Sequence, residues 1–285
     1  GPPDTLDDEV ARFHGILMGD VSGNVLRASH AVYDRLVRPL RPLLGGATTV
    51  FVVSDGAAAR VPWHALVTSM DGGPGGLERY LMDEGLTVLT LSSARELLRT
   101  LPPTSGGAPL VMAPFAGVPE RDSGLPGTAR EAQAVAAMLG VNPRMTLDAS
   151  YDALRAAAAT APRVLHLATH GYAETDRGTT SPLSFVGLRF AVGDGEGARV
   201  SASRMAMELP LQGTDLVVLS ACESGLGAVQ PGQDIASTRQ AFHIAGARHV
   251  LASLWPVDDA AAAFFMERFY THMLAGQTVV QAYSQ

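Results

Sequence analysis

The chain has 285 residues, of which 47% are hydrophobic and 17% are charged, so it can bury a sizeable core and lacks the composition of a disordered segment. Its formal net charge of −7 argues against nucleic-acid binding, which depends on a basic surface. The single cysteine excludes an intrachain disulfide and favours a reducing, cytoplasmic location. The acidic start lacks the apolar stretch of a signal peptide, and no apolar run reaches the roughly 18 residues of a membrane span, so we expect no membrane partner.

The first third of the chain predicts a small helical and α/β subdomain. Apolar residues recur every three or four positions over residues 6–44, which predicts helix, and the glycines within 19–23 predict a break in it. A run of β-forming residues at 48–55 predicts a buried strand. A second strand is predicted beside it at 61–67, with Trp63 packed inside, and a third at 86–91.

A change in composition predicts where this subdomain ends. The stretch PPTSGG at 102–107 is rich in proline and glycine and separates two apolar segments. We therefore expect two domains, at residues 1–105 and 106–285. The last residues, VVQAYSQ, stop inside what reads as an amphipathic helix, which suggests a piece of a longer protein.

The second part of the chain alternates strands with helices. Apolar runs predict strands at 110–113, 145–147, 164–169, 184–190, 216–220 and 249–254. Periodic segments predict helices at 128–139, 151–159, after Ser201, at 235–245 and from Asp258 or Asp259 to Leu274. This alternation predicts a mostly parallel sheet with helices on both faces.

Two of the predicted strands deliver reactive side chains where they end. The stretch LVVLSACESG at 216–225 carries Cys222, and VLHLATHG at 164–171 carries His170. Ligands of open α/β sheets bind beyond the carboxyl ends of the strands. A thiol and an imidazole at two such ends suggest a cysteine nucleophile with a histidine partner.

Other readings of these residues remain open. A lone cysteine after a buried strand is often a packing residue, because cysteine is among the most buried residue types. His166 shares a strand face with His170, but these histidines and Cys222 would be an incomplete ligand set for structural zinc. We interpret His166 as a buried, hydrogen-bonded core histidine. We therefore expect no metal, and no nucleotide cofactor either, since the phosphate-binding glycine motifs are absent. The serine-hydrolase elbow is also absent, which argues against serine hydrolysis.

The two motifs, together with RQAFHIAGARHVLASLWPVDD at 239–259, resemble the CHAT family of caspase-like and separase-like cysteine peptidases. The similarity runs from about Thr48 onward, through the segments VFVVSDGAAARVPWHAL, ERYLMDEGLTVLTLSSARELL and LPGTAREAQAVAAML. It implies a caspase-like α/β fold, in which a mostly parallel sheet flanked by helices follows a smaller α/β subdomain.

The resemblance also implies which residues form the site. The family nucleophile falls on Cys222 and its histidine on His170, while the backbone N–H groups of Gly171 and Cys222 would hold the oxyanion. The chain departs from the common pattern at Ser224, where threonine is usual. It departs again after the glycine-rich loop, where Gly-Glu-Gly is usual and this chain has Gly232-Gln233-Asp234.

The segment SLWPVDD resembles the one that, in related peptidases, lines the pocket for the residue before the cut. Trp255, Asp258 and Asp259 are its candidates, and the acids would suit Arg or Lys in a substrate. Capping of a helix start explains the same two acids equally well. Glu223 and Asp234 are further substrate-binding candidates.

The function that the resemblance implies is a cysteine endopeptidase that cleaves a specific partner protein in bacterial signalling or defence. The partners would be a protein or peptide substrate and helical-repeat sensor domains outside this chain. The alternative is a catalytically silent, peptidase-like scaffold that binds partners without cutting them.

Overall fold

The computed structural model describes residues 5–54, 56–71, 77–118, 126–173, 182–190, 198–220, 227–228, 236–255, 257 and 259–285. The chain divides into two compact units, Gly1–Arg99 in the first and Thr100–Ala228 with Ala236–Tyr283 in the second. The predicted boundary after residue 105 stays a prediction.

The helices and strands are numbered here in chain order. The α-helices in the described residues are α1 (Leu6–Met18), α2 (Val25–Leu36), α3 (Arg41–Leu44), α4 (Pro126–Leu139), α5 (Tyr151–Ala158), α6 (Ala202–Glu208), α7 (Thr238–Ala245), α8 (Asp259–Leu274) and α9 (Val279–Tyr283). The strands in the same residues are β1 (Thr49–Val53), β2 (Val67–Ser69), β3 (Arg79–Tyr80), β4 (Thr87–Leu91), β5 (Leu110–Ala113), β6 (Arg144–Met145), β7 (Val164–Ala168), β8 (Gly171–Ala173), β9 (Val186–Phe190), β10 (Ala198–Ser201), β11 (Leu216–Ser220), β12 (Gly227–Ala228), β13 (Ala236–Ser237) and β14 (His249–Ala252).

The break in the first helical region lies where the glycines predict it. Helix α1 is capped at its start by Thr5, whose side chain accepts a hydrogen bond from the Asp8 N–H, and at its end by Gly19 in the left-handed region, at φ +80°. Helix α2 starts at Asn24, whose side chain accepts from the Arg27 N–H. At each of these three helix ends, the capping residue forms hydrogen bonds with backbone groups that have no partner within the helix.

The predicted strand at 61–67 is wrong in most of its length. Residues Trp63–Ala65 form a turn of 3₁₀ helix directly after Pro62, whose fixed φ and missing N–H disfavour a strand. Strand β1 pairs in parallel with β4 instead, and β2 pairs with β3. Trp63 is buried, as predicted, at 8% exposure.

Strand β1 is also more exposed than predicted. Its residues alternate between exposed and half-buried, and Phe51 and Val53 are each 49% exposed within the chain. This two-stranded parallel sheet has one covered face, whereas larger parallel sheets are covered on both. The apolar run in the sequence therefore overstated the burial of β1.

The second unit is built on a five-stranded sheet in the order β14-β11-β7-β5-β6, and every neighbouring pair is parallel. The three central strands β5, β7 and β11 are buried along nearly their whole length. Continuous burial of this kind is typical of a parallel sheet with both faces covered.

Helices cover the two faces of this sheet. Helices α5, α6 and α7 pack on the face that carries Leu165, Leu167 and Leu219. Helices α4, α8 and α9 pack on the face that carries Val164, Ala168 and Val218. The predicted fold class, a mostly parallel sheet flanked by helices with a smaller α/β unit before it, is confirmed.

A second, antiparallel sheet follows β7 in the chain, with the strand order β10-β9-β8. Strands β8 and β10 were not predicted, because each is short. Its first strand in the chain, β8, begins at Gly171, the residue after His170, so this sheet follows the candidate histidine directly in the sequence. Among the described residues, no helix is both long and apolar enough to cross a membrane.

Burial of His64 in the first unit predicts sensitivity to acid. Burial lowers the pKa of His64 from 6.5 to about 4, and burial also lowers the pKa of His14. At a pH between 6.5 and about 4, the unfolded chain binds a proton on His64 that the folded chain does not. The free energy of unfolding therefore falls as the pH drops from about 6.5 to 4. The loss from His64 alone is about 3 kcal/mol.

We expect His64→Gln to flatten this pH dependence. The measurement is urea unfolding at pH 7 and pH 4.5, followed by the fluorescence of Trp63 in a Trp255→Phe background so that only the first unit is observed. Equal losses of unfolding free energy in both proteins between the two pH values would contradict the assignment.

Candidate active site

The site is organised by the pairing of two neighbouring strands, β7 and β11. They run in parallel with Val218 opposite His166 and Ser220 opposite Ala168. The Thr169 N–H donates to the Ser220 carbonyl at 3.2 Å, so the pairing continues one residue beyond the end of β7. Both strands therefore end at the same edge of the sheet.

The His170 ring is held against an aromatic side chain from a third strand end. Phe115 follows β5, is 1% exposed, and meets the His170 ring edge-on with the ring centroids 4.9 Å apart. Such an arrangement suits the quadrupoles of both rings. The Arg189 guanidinium lies over the Phe115 ring, with its central carbon 5.6 Å from the centroid.

The backbone around His170 is fixed by strand β9. The His170 carbonyl accepts from the Arg189 N–H at 2.9 Å, and the Thr169 hydroxyl donates to the Arg189 carbonyl at 2.5 Å. Thr169 is 1% exposed. Hydrogen bonds on both sides of the turn from β7 into β8 thus set the direction in which the His170 side chain leaves the backbone.

The Gly171 N–H has a defined direction. Gly171 lies opposite Leu188, and the hydrogen bond from Arg189 to His170 makes this a non-hydrogen-bonded pair of the antiparallel ladder. In such a pair the N–H points away from the partner strand. Since β8 is at the edge of its sheet, the Gly171 N–H points out from that edge.

His166 is a buried core histidine, as interpreted from the sequence. It is fully buried on the sheet face covered by α4 and α8, and its Nδ1 lies 3.0 Å from the Tyr270 hydroxyl. Its Nε2 lies 3.2 Å from Oε1 of Glu131, at an angle outside hydrogen-bond geometry. No cluster of three His, Cys, Asp or Glu residues within the described ranges could hold a metal ion.

Glu131 links this histidine to the end of β11. The Ser220 hydroxyl donates to Oε2 of Glu131 at 2.9 Å, and the Glu131 side chain is 11% exposed. Tyr270, at the far end of the chain of contacts, is fully buried. Burial and, secondarily, the Glu131 charge raise the pKa of the Tyr270 hydroxyl, which therefore stays protonated and can donate to His166.

Several residues predicted for the site lie outside the described residues: Cys222, Glu223, Asp234 and Asp258. Asp259 is the first residue of α8, and its side chain is also outside the described part. Trp255 follows β14 and is half-buried. Of the predicted residues, His170, Gly171 and Trp255 thus have described surroundings.

Sequence reasoning missed Glu131, Ser220, Tyr270 and Phe115. A signal for Glu131 existed: it lies three residues after Thr128 and four before Val135, which places it on the buried side of the predicted helix. An acid there and a histidine inside an apolar strand both need polar partners. Nothing in the spacing says that the two are partners of each other.

Comparison with known proteins assigns the family. The family model described as the CHAT domain matches residues 26–285. The five-stranded sheet places the chain in the α/β class. The match of the family model shows that the chain belongs to the CHAT-domain family, which confirms the resemblance found in the sequence.

Two curated relatives are similar over most of this chain. Tetratricopeptide repeat protein 28 of Mus musculus is 27% identical over 295 aligned residues, and the same protein of Homo sapiens is 28% identical. Each alignment covers 86% of this chain and 12% of the relative, so the chain spans a small part of the length of these relatives.

Among solved structures, the Arg specific cysteine proteinase gingipain R matches with a TM-score of 0.47 and 11% identity. The match covers 98% of this chain and 67% of the gingipain chain.

The buried hydroxyl of Thr169 should contribute to stability. We expect Thr169→Val to lower the free energy of unfolding by about 1 kcal/mol, because it removes a donor to the Arg189 carbonyl without changing the shape of the side chain. Thr160→Val is the matched control, since the exposed Thr160 hydroxyl also donates to a backbone carbonyl, that of Ala157. Urea unfolding measures both, and equal effects would contradict a special role for Thr169.

Proposed function

We propose that this chain is a cysteine endopeptidase in which Cys222 is the nucleophile and His170 transfers the proton. Membership of the CHAT family and the sequence motifs around both residues support the assignment. Its substrate would be a protein or peptide, and the single cysteine in 285 residues favours a cytoplasmic setting. The bacterial setting stays a prediction.

The observation that carries the proposal is the pairing of Ser220 with Ala168. His170 follows Ala168 by two residues and Cys222 follows Ser220 by two residues. Neighbouring strands are about 4.8 Å apart. If both segments continue in the direction of their strands, the two side chains would leave the same edge of the sheet, which would bring the thiol and the imidazole together.

The direction of the Gly171 N–H supports its role in the oxyanion hole. It points out from the edge of β8, one residue after the histidine. The second donor would be the Cys222 N–H. Losing one such donor typically costs about 10²–10³ in rate.

The reaction would proceed through a thioester. The Cys222 thiolate attacks the scissile carbonyl, because the thiolate is the nucleophilic form. The carbonyl oxygen becomes an oxyanion held by the two N–H groups, and the imidazolium of His170 protonates the leaving amine as the C–N bond breaks. Water, deprotonated by the neutral His170, then attacks the thioester and releases the acid and the Cys222 thiol.

Labelling of the single cysteine tests the proposal without a known substrate. We expect a peptidyl acyloxymethyl ketone with arginine beside the reactive group to modify the wild-type protein once, at Cys222, and to leave Cys222→Ala unmodified. His170→Ala should slow labelling by about 10²-fold or more, since acid–base catalysis contributes 10²–10⁴. Intact-mass spectrometry follows the reaction, and thermal unfolding confirms that the variants fold.

A wild-type protein that the probe does not label, or one labelled equally fast in the His170→Ala variant, would contradict the peptidase assignment. It would favour the second candidate, a peptidase-like scaffold. That candidate has its own support, because the curated relatives are tetratricopeptide repeat proteins in which the matched region is a small part. In either case we propose helical-repeat segments as partners of this domain.

We further propose that Asp258 and Asp259, which follow Trp255 closely in the sequence, select a basic residue before the cut together with Trp255, with Glu223 and Asp234 as additional substrate-binding residues. A carboxylate suits a guanidinium through two parallel hydrogen bonds. We expect the double variant Asp258→Asn/Asp259→Asn to lose at least about tenfold of its preference for an Arg over a Leu peptide, a loss of about 1.4 kcal/mol.

The measurement is cleavage of matched fluorogenic peptides that differ only in the residue before the cut. Asp148→Asn/Asp152→Asn, which removes two exposed charges elsewhere in the second unit, is the control for net charge. Unchanged preference in the double variant would leave helix capping as the role of the two acids.

A further inference from the structure

We infer that Glu131 is a positioning residue of the Cys222 site, which holds the end of strand β11 through the Ser220 hydroxyl and lies against His166, which is hydrogen-bonded to Tyr270. This inference rests on the proposed peptidase function. It concerns residues that take no part in the bond-making steps described above.

The contacts form a chain across one face of the sheet, fully buried at Tyr270 and His166 and partly buried at Glu131 and Ser220. The Tyr270 hydroxyl of α8 meets Nδ1 of His166 at 3.0 Å, and Nε2 of His166 lies 3.2 Å from Oε1 of Glu131. Oε2 of the same carboxylate accepts from Ser220 at 2.9 Å. Two helices and two neighbouring strands are thereby joined by polar side chains where the surrounding positions are apolar.

Two of the three links in this chain are hydrogen bonds whose donors are hydroxyl groups. The Ser220 hydroxyl donates to one oxygen of Glu131 and the Tyr270 hydroxyl donates to Nδ1 of His166, while the other Glu131 oxygen lies 3.2 Å from Nε2 of His166 without hydrogen-bond geometry. The direction of these two hydrogen bonds follows because each hydroxyl group has a proton to donate. The hydrogen bond to Ser220 ties the Glu131 carboxylate to the end of β11, and the hydrogen bond from Tyr270 fixes the His166 ring beside that carboxylate.

This chain of contacts ends at Ser220, close in sequence to the proposed nucleophile. Ser220 is the last residue of β11, and Cys222 follows two positions later. The carbonyl of Ser220 accepts from the Thr169 N–H, while its hydroxyl donates to Glu131. Both the backbone and the side chain of Ser220 are therefore held, one by the histidine-bearing segment and the other by α4.

Stability alone does not explain such a chain. Buried polar networks often stabilise a fold no better than apolar residues of the same volume would, and they act mainly by fixing one arrangement. A fixed arrangement matters most where a reacting atom must be placed accurately, since a displacement of about 1 Å can cost 10²-fold in rate. The strand end that precedes the nucleophile is such a place.

The test uses the saturation kinetics of labelling by the arginyl acyloxymethyl ketone, which separate the maximal rate of inactivation, kinact, from the half-saturating concentration, KI. We expect Ser220→Ala to lower kinact about tenfold and to leave KI within about twofold, because the chemistry loses its positioning while probe binding does not. Ser220→Thr, which keeps the hydroxyl, should restore kinact. Ser150→Ala, which removes the N-cap hydroxyl of α5, is the matched control and should match the wild type.

A double-mutant cycle tests whether Glu131 acts through Ser220. We expect Glu131→Ala to lower kinact by a factor similar to Ser220→Ala, and the double variant to be no slower than the slower single variant. Thermal unfolding checks that each variant folds. If Glu131→Ala does not fold, the Ser220→Ala and Ser220→Thr pair still decides the proposal.

The outcomes separate the two proposals. A labelled wild type with unchanged kinact in Ser220→Ala overturns the positioning role alone. A double variant whose loss equals the product of the single losses also overturns it, because the two residues would then act independently. A wild type that is not labelled overturns the peptidase function, and the positioning role with it.

Discussion

The parallel pairing of β7 with β11 is the constraint on which the rest of the site depends. It sets Ser220 opposite Ala168, and the hydrogen bond from the Thr169 N–H to the Ser220 carbonyl extends it to the last residue of β11. A slip by one residue would turn every side chain of β11 to the opposite face. The buried apolar residues on both faces of the two strands make such a slip costly, so packing of the core fixes the geometry at the sheet edge.

Polar and aromatic contacts then fix the individual side chains and backbone groups at this edge of the sheet. On the side of His170, the Phe115 ring and the hydrogen bonds to Arg189 hold the ring and its backbone. On the side of β11, the carboxylate of Glu131 holds the Ser220 hydroxyl. These contacts come from strands and helices that are far apart in sequence, and they meet at one end of the sheet. The arrangement resembles that of other open α/β sheets, in which ligand sites lie beyond the carboxyl ends of the strands.

The sequence predicted the elements whose signals are local and strong. The apolar runs that became β5, β7 and β11 are continuous, as parallel strands covered on both faces should be, and the alternation with helices gave the class of fold. The strand at 61–67 failed because an apolar run was weighed above Pro62. Strands β8 and β10 are too short to carry a periodic signal. His170 and Gly171 were predicted for the site from motifs and stay predictions, whereas the contacts of Glu131, Tyr270 and Phe115 join distant segments that no spacing encodes.

The central claim is that the two strand ends bring the Cys222 thiol and the His170 imidazole into one site. The most direct measurement is a crystal structure of the protein after labelling with the arginyl acyloxymethyl ketone. It should show a thioether bond at the Cys222 sulfur, the ketone oxygen within about 3 Å of the Gly171 N–H, and the His170 ring within hydrogen-bond reach of the reacting centre. Side chains of residues 170 and 222 on opposite faces of the sheet would contradict the claim.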